Sequence, residues 1–146
     1  MLKKKILLGV TGSIAAYKAA ELIRLLRKNN FFVQVVLTKS AKQFVTPLTL
    51  QALSGNPVLE NMWDPTEGNG MEHINLARTA DLILIAPASG NFIAKLAHGL
   101  ADDLLTNLCL ARSCPLLVAP AMNVEMFNNT ATQRNIETIK NDGIVI

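Results

Sequence analysis

Short apolar runs, separated by segments of helical periodicity, constrain the fold of this chain more than any other feature. The runs cover residues 5–10, 32–38, 81–86, 115–119 and 143–146, and they are rich in Ile, Leu and Val without regular polar alternation. Strands that are buried on both faces of a parallel sheet have this composition. The sequence therefore predicts a doubly wound α/β fold, with a parallel sheet between two layers of helices.

Helical patterns occupy the segments between these runs. Between the first two runs, an apolar stripe predicts a helix that ends at Asn29 and Asn30. The members of the stripe are Ala15, Ala19, Leu22, Ile23 and Leu26. Residues 94–111 and 129–140 are predicted to form two further helices, and residues 54–70, where Gly, Asn and Pro collect, are predicted to be the loosest stretch.

Composition narrows the classes of function. Length predicts one domain over residues 1–146, and 50% hydrophobic residues with a mean hydropathy of +0.29 favour a buried subunit interface. The net charge is +3, the basic residues are dispersed apart from Lys3 to Lys5, and aromatics make up 5%, so we expect no nucleic-acid partner. We expect no membrane partner either, because no apolar run approaches the roughly 18 to 20 residues that span a bilayer.

The cysteines, histidines and acidic residues predict neither a disulfide framework nor a metal site. Cys109 and Cys114 lie five positions apart in apolar surroundings, which favours reduced thiols in a cytoplasmic protein. His, Cys and acidic side chains do not cluster at ligand spacing, so we expect no metal. Asp102 and Asp103 are adjacent and cannot face each other as an acid/base pair, but one of them is expected to hold a neighbouring loop or helix.

The loops that follow the predicted strands share small, hydroxyl, amide and glycine residues. They cover residues 11–13, 38–40, 87–91 and 120–123. In doubly wound sheets, ligands bind at the carboxyl ends of the strands. A loop of this chemistry before a helix offers backbone N–H groups and hydroxyls to a phosphate. We therefore expect a nucleotide-like ligand at this edge of the sheet.

The first two of these loops restrict which nucleotide can bind. Residues 9–13 do not form the G-x-G-x-x-G dinucleotide motif, residues 38–40 lack the acidic side chain of an NAD site, and the chain has no P-loop. A single terminal phosphate, such as that of FMN, fits the loops better. The alternative that Ser13, Ser40 and Ser89 only cap helices stays open at this point.

Four motifs occur together in a recognisable order. They are Gly-Val-Thr-Gly-Ser-Ile-Ala-Ala-Tyr-Lys at 9–18, Met-Glu-His-Ile at 71–74, Pro-Ala-Ser-Gly-Asn at 87–91 and Pro-Ala-Met-Asn-Val-Glu-Met-Phe at 120–127. With this spacing the chain resembles, over nearly its whole length, the homo-oligomeric flavin-containing cysteine decarboxylases. The resemblance implies a Rossmann-like flavoprotein, bound FMN, and assembly into a homotrimer or a dodecamer with FMN between neighbouring subunits.

The same resemblance implies an activity and a set of site residues. It implies FMN-dependent decarboxylation of 4'-phosphopantothenoylcysteine, a carboxy-lyase reaction of coenzyme A biosynthesis. His73, predicted to lie in a polar loop before the third strand, matches the catalytic histidine. Asn123 matches the residue that holds the substrate carboxylate, with Met126 as a further substrate contact. The implied cofactor contacts are Gly12, Ser13, Ile14, Thr38, Ser40, Ala88, Ser89, Asn91 and Ala121.

The sequence also departs from the family pattern. Gly90 and Phe92 replace an Ala and a Thr, and Phe127 replaces a usual Trp. Family members carry a further cysteine in a flap beyond the Pro-x-Met-Asn motif. No cysteine follows that motif in this sequence, so we expect the sequence to lack the flap.

Two alternatives remain beside the decarboxylase. A flavin prenyltransferase shares the fold, but the Pro-Ala-Met-Asn string at 120–123 counts against it. A non-catalytic flavin-binding regulatory protein would be expected to have lost His73 or Asn123, and both are present. The expected lack of the flap keeps the regulatory interpretation open.

Overall fold

The core of the fold is a parallel β-sheet. The computed structural model describes residues 2–62 and 70–146, with side chains from residue 73 onward in the second range. Within these ranges the sheet has four strands in the order β2-β1-β3-β4. They are β1 (Lys5–Val10), β2 (Phe32–Leu37), β3 (Leu82–Ala88) and β4 (Leu116–Pro120). The first four predicted strands and the doubly wound α/β class are confirmed.

Helices cover the sheet on both faces. They are α1 (Lys18–Lys28), α2 (Pro47–Ser54), α3 (Gly70–Thr79), α4 (Gly90–His98), α5 (Leu104–Ala111), α6 (Val124–Asn128) and α7 (Thr130–Asn141). Two 3₁₀ turns, Ile14–Tyr17 and Ser40–Gln43, follow the first two strands. No helix in the described part of the chain combines the length and the apolar character needed to cross a membrane.

Alternate side chains of β1 enter two separate hydrophobic clusters. Ile6 and Leu8 belong to the cluster that includes Ile23 of α1, whereas Leu7 belongs to the cluster that includes Leu105 of α5. All five side chains are at most 4% exposed. Both faces of the strand are therefore buried, which explains why its sequence is apolar without alternation.

The predicted helix over residues 94–111 is wrong, because the structure divides this segment into α4 and α5. Gly99 ends α4 in the left-handed conformation, with φ of 66°. Asp103 then begins α5 with a capping box, in which its side chain and that of Thr106 each bond the backbone N–H of the other residue. A glycine followed four residues later by Asp-x-x-Thr is a stop and start signal that apolar periodicity alone does not reveal.

The last predicted strand, over residues 143–146, is present only as an isolated bridge. Val145 pairs in parallel with Leu117 and exchanges backbone hydrogen bonds with Leu116 and Val118. Two further helices were not predicted, namely α2, which Thr46 caps with its side chain, and the short helix α6. Part of the predicted loose stretch, residues 63–69, lies outside the described residues.

The strand order places a crevice at the carboxyl end of β1. The chain runs from β1 outward to β2 and then returns to the other side of β1 to form β3. At such a switch point the loops after the two central strands leave in different directions, and ligands of doubly wound proteins bind between them. The functional residues are therefore sought where β1 and β3 end.

Candidate functional site

Thr11 joins the loops that follow β1 and β3. Its Oγ1 donates a hydrogen bond to the carbonyl oxygen of Pro87 at 2.7 Å and accepts one from the backbone N–H of Ser89 at 2.9 Å. The residue is 2% exposed. The sequence analysis placed Thr11 in the first loop but gave it no role, because both of its partners lie far away along the chain.

Further hydrogen bonds connect the other strand-end loops. Ser13 Oγ donates to the carbonyl oxygen of Ala121 at 3.3 Å, and the backbone N–H of Ala121 donates to the carbonyl oxygen of Ala88 at 3.0 Å. The N–H of Thr38 donates to the carbonyl oxygen of Val10 at 3.1 Å. The four loops predicted from the sequence therefore lie together at one edge of the sheet.

Two of the three serines that could cap helices do so. Ser13 Oγ accepts from the N–H of Ala15 at 3.2 Å, and Ser89 Oγ accepts from the N–H of Phe92 at 3.1 Å at the start of α4. Ser40 does not cap a helix. It is exposed, and the residue at the N-cap position of its 3₁₀ turn is Lys39. A cap uses a lone pair of the hydroxyl oxygen, so Ser89 retains an O–H donor for a ligand.

A polar cleft of about 280 Å³ lies between the first three loops. Its lining includes five predicted cofactor contacts, Gly12, Thr38, Ser40, Ser89 and Asn91. It also includes Thr11, Lys39, Phe92, Lys95, Asp102 and Asp103. Hydroxyl groups, an amide and the N-terminus of α4 therefore converge on one opening.

An apolar cleft of about 480 Å³ adjoins the polar cleft and shares Gly12 and Ser89 with it. Six predicted site residues other than Ser89 line it, namely Gly12, Ser13, Ile14, Ala121, Asn123 and Met126. Phe44, Gly90 and Met122 also contribute to its wall. This cleft combines a largely hydrocarbon surface with the single amide side chain of Asn123 among the residues named for it.

Gly12 allows the first two loops to approach closely. A Cβ atom at this position would lie 2.5 Å from the Cβ of Ser40 and 3.2 Å from the Ser40 carbonyl carbon. The first distance is shorter than carbon atoms tolerate and the second is a tight contact, so a larger residue would push the loops apart. The absence of a side chain also leaves backbone accessible where the two clefts meet.

Lys95, Asp102 and Asp103 line the polar cleft although they were not predicted to belong to the site. Lys95 Nζ contacts both carboxylate oxygens of Asp102, at 3.0 and 3.1 Å, and this ion pair links α4 to the segment before α5. Asp103 accepts from the N–H of Thr106 at 2.7 Å, which confirms that one of the adjacent aspartates holds a helix. Asp103-x-x-Thr106 is a readable capping signal, whereas the ion pair depends on the break between the two helices.

Asn123 begins α6 and caps it. Its Oδ1 accepts a hydrogen bond from the backbone N–H of Met126 at 2.8 Å, and its side chain is exposed. Since the amide oxygen is used inside the protein, the Nδ2 group is the part that a ligand in the apolar cleft can contact. Asn123 therefore offers hydrogen-bond donors without adding a positive charge.

The prediction that His73 lies in a polar loop is wrong. His73 lies in α3 and is 4% exposed, on the same face of the helix as the fully buried Ala77. The i, i+4 spacing of these two residues forms a buried stripe, which the preceding Gly and Asn residues obscured in the sequence. Among the described residues, His73 is not one that lines either cleft.

Ala88 also differs from the expectation for a cofactor contact. Its side chain is fully buried in the hydrophobic cluster beneath the sheet edge. Its carbonyl oxygen accepts the hydrogen bond from Ala121 described above. Ala88 therefore holds the third and fourth loops together, and it does not line either cleft among the described residues.

Both cysteines are free thiols outside the two clefts. Cys109 lies in α5, and burial raises the pKa of its thiol to about 12. Burial also raises the pKa of the Cys114 thiol, which lies just before β4 and is partly exposed. A protonated buried thiol is a poor nucleophile, so Cys109 is a packing residue of the core.

Comparison with known proteins identifies the family of this chain. The family described as Flavoprotein matches residues 1–146. The coenzyme A biosynthesis bifunctional protein CoaBC of Vibrio vulnificus (strain YJ016) is 54% identical over 143 residues, which are 98% of this chain and 36% of that protein. The chain belongs to the Flavoprotein family, and it spans about a third of the length of this bifunctional relative.

Two further similarities involve proteins closer to this chain in length. A probable phosphopantothenoylcysteine decarboxylase of Streptococcus mutans (strain UA159) is 51% identical over 142 residues, which are 96% of this chain and 79% of that protein. The crystal structure of the FMN-dependent cysteine decarboxylase SpaF has a TM-score of 0.92 and 36% sequence identity, and the match covers 98% of this chain and 82% of that chain. The resemblance to flavin-containing cysteine decarboxylases is thereby confirmed.

Proposed function

We propose that this chain catalyses the FMN-dependent decarboxylation of 4'-phosphopantothenoylcysteine to 4'-phosphopantetheine. The observation that carries the proposal is the junction of the polar and apolar clefts at the switch point, with the Asn123 amide in the apolar one. Similarity to a probable phosphopantothenoylcysteine decarboxylase supports the substrate. Similarity to an FMN-dependent cysteine decarboxylase supports the cofactor.

The residues present fit FMN, which combines one phosphate, a polyol chain and a flat aromatic ring. The polar cleft offers hydroxyls and the positive end of α4 to the phosphate and polyol. Asp102 does not counteract this, because Lys95 offsets its charge. The apolar cleft offers Ile14, Met122 and Met126 to a flat ring. Gly12, which the clefts share, leaves room for one ligand to extend across both.

Decarboxylation requires a place for the electron pair that carbon dioxide leaves behind. When bound, FMN supplies a reversible two-electron oxidation of the cysteine part of the substrate, which provides that electron sink and requires no net redox change. The protein orients the substrate. The Nδ2 group of Asn123 would hold the carboxylate, while Met122 and Met126 would exclude water around it.

We propose His73 as the residue that accepts a proton during this oxidation. The support is the Met-Glu-His-Ile motif at 71–74, together with the ability of an imidazole to accept and donate protons. His73 is buried in α3 and is not among the described residues that line the two clefts, so the motif is what supports this role.

We further propose that the chain assembles into a homotrimer or a dodecamer. Ile14, Phe44 and Met126 line the apolar cleft and are 80%, 48% and 50% exposed. Exposed apolar side chains around a binding cleft support a site that a neighbouring subunit completes. Sedimentation of the FMN-bound protein as a stable monomer would contradict this assembly. We place the reaction in the cytoplasm, which the two free thiols support.

The proposed activity is tested by anaerobic incubation of the purified chain with FMN and 4'-phosphopantothenoylcysteine. We expect release of carbon dioxide and a product that is lighter by the mass of carbon dioxide, measured by mass spectrometry. A peptide with a C-terminal cysteine is the comparison substrate. Turnover of the peptide without turnover of 4'-phosphopantothenoylcysteine would show that the chain is a cysteine decarboxylase with a different substrate. Tight FMN binding without turnover of either compound would favour a regulatory flavoprotein.

A further inference from the structure

We infer that Thr11 is a positioning residue of the cofactor site, which fixes Ser89 in place before the ligand binds. This inference rests on the proposed FMN site. The supporting geometry is the pair of hydrogen bonds that Thr11 Oγ1 makes across the switch point, to Pro87 at 2.7 Å and from Ser89 at 2.9 Å. These bonds join the ends of β1 and β3, the two strands between which the site lies.

The hydrogen bonds that Thr11 already makes exclude its hydroxyl as a hydrogen-bond donor to the ligand. A threonine hydroxyl has one proton, and Thr11 gives it to the carbonyl oxygen of Pro87. One of its lone pairs accepts from Ser89, and the residue is 2% exposed although it lies at the wall of the polar cleft. Thr11 therefore acts on the ligand through Ser89.

Ser89 is the residue through which a displacement of the loop after β3 would affect the ligand. It lines both clefts and begins α4, so its hydroxyl and the backbone N–H groups of the first turn of α4 are the donors whose positions depend on it. Without the bond from Thr11, the loop after β3 would sample positions in which these donors are misplaced. A ligand binds only the competent fraction of such an ensemble, so its apparent dissociation constant rises as that fraction falls.

The test compares two substitutions that separate the hydroxyl of Thr11 from its shape. Thr11→Val keeps the branched side chain and removes the hydroxyl, whereas Thr11→Ser keeps the hydroxyl and removes the methyl group. We expect Thr11→Val to raise the FMN dissociation constant about ten-fold, measured by quenching of FMN fluorescence, because the loop after β3 loses the hydrogen bond that holds Ser89. Thr11→Ser should bind FMN within about two-fold of the unmodified protein.

A second measurement uses the protein without FMN. The backbone N–H of Ser89 is protected by its bond to Thr11 Oγ1, so we expect Thr11→Val to accelerate hydrogen exchange of this amide about ten-fold or more. Thr11→Ser should leave its exchange rate near that of the unmodified protein. If Thr11→Val does not fold, Thr11→Ala serves as the variant, since it removes the hydroxyl and introduces no new apolar contact.

Ser54→Ala is the matched control. Ser54 is also 2% exposed, and its hydroxyl likewise donates to a backbone carbonyl, that of Asn56, and accepts from a backbone N–H. Both bonds are local, and Ser54 is not among the residues that line the clefts. This variant should lose stability as Thr11→Val does, with an unchanged FMN dissociation constant.

The outcomes separate this inference from the proposed function. Failure of the unmodified chain to bind FMN would contradict the proposed cofactor, while exchange of the Ser89 amide would still decide whether Thr11 holds the loop. Equal FMN affinity in Thr11→Val and the unmodified chain would overturn the inference. Equal weakening in Thr11→Val and Ser54→Ala would also overturn it, because a general loss of stability would then explain both.

Discussion

The side-chain oxygen of Asn123 accepts a hydrogen bond from the backbone N–H of Met126 at 2.8 Å. This bond fixes which end of the amide faces the apolar cleft, since the oxygen is turned toward the helix and the Nδ2 group away from it. A ligand atom in the cleft therefore meets a donor. The side chain of Asn123 therefore has two functions: its oxygen caps α6, and its Nδ2 group favours a ligand that accepts hydrogen bonds, such as a carboxylate.

Replacement of Asn123 by Asp should separate these two roles. Asp caps helices about as well as Asn, so α6 should be retained. The outward-facing donor becomes a negatively charged acceptor, and like charges at close range cost several kcal/mol. We expect FMN to remain bound and kcat/KM for carbon dioxide release from 4'-phosphopantothenoylcysteine to fall at least about 100-fold.

Asn129→Asp provides the control for this substitution. Asn129 caps α7 by the same chemistry, with its Oδ1 accepting from the N–H of Ala131 at 2.9 Å, and it is not among the residues that line the clefts. The control should retain kcat/KM. A comparable loss in both variants would mean that Asn123 contributes only as a helix cap.

The strands and the loops that follow them could be predicted because each depends on a contiguous stretch of sequence. Residues 6–10 are apolar because both faces of β1 are buried there, and the polar loop begins at Thr11, directly after the strand ends. The helix break between His98 and Asp103 was missed for a related reason. Apolar periodicity continues across it, while the signals that end one helix and begin the next are single residues, Gly99 and Asp103.

The connections within the site could not be predicted in this way. Thr11 and Ser89 are separated by 78 positions in the sequence, and nothing in either loop specifies their hydrogen bond. Lys95 and Asp102 likewise pair only because α4 ends before Asp102. The sequence therefore indicated which loops carry the chemistry, whereas the tertiary fold determines which side chains hold those loops in place.

Gly12→Ala should disrupt cofactor binding through its backbone neighbours. The added methyl carbon would lie 2.5 Å from the Cβ of Ser40, so one of the two loops must move. Because Gly12 lies where the polar and apolar clefts meet, we expect the FMN dissociation constant to rise at least about ten-fold, through a smaller fraction of binding-competent protein. Fluorescence titration with FMN measures this change, and unaltered affinity would show that the loops adjust freely.

Gly90→Ala should make the folded protein more stable. A Cβ at Gly90 would have as its nearest neighbour the Sδ of Met122 at 3.5 Å, an ordinary van der Waals contact, and the residue is the first of α4. Replacing a helical glycine by alanine at a compatible site stabilises a protein by about 0.4–1 kcal/mol, because the unfolded chain loses freedom. Urea unfolding of the two proteins tests this prediction. A lower unfolding midpoint for the variant would show that the added methyl group does not fit beside Met122.

The buried thiol of Cys109 should make the fold less stable in alkaline solution. Burial raises its pKa from 9.0 to about 12, so the unfolded chain releases this proton at a lower pH than the folded chain does. The stabilising contribution is fully present below pH 9 and is lost as pH rises from 9 to about 12, by up to ~1.4 kcal/mol per pH unit. Urea unfolding of Cys109→Ala should show a correspondingly weaker pH dependence over this range. If the stability of the two proteins depends on pH in the same way, Cys109 is not the group responsible for the alkaline loss of stability.

His73→Asn should remove catalysis while the cofactor stays bound. The amide cannot accept a proton under these conditions, and a general base contributes about 10² to 10⁴ in rate, so we expect carbon dioxide release to fall by that factor. Since His73 lies in α3 and not along the clefts, the FMN dissociation constant should change little. His98→Asn is the matched control, because His98 is exposed near the end of α4, with its Nδ1 2.8 Å from the carbonyl oxygen of Ala94. Thermal unfolding of both variants distinguishes lost chemistry from lost structure. Full activity of a folded His73→Asn protein would assign the proton transfer to another residue and leave His73 a structural role in α3.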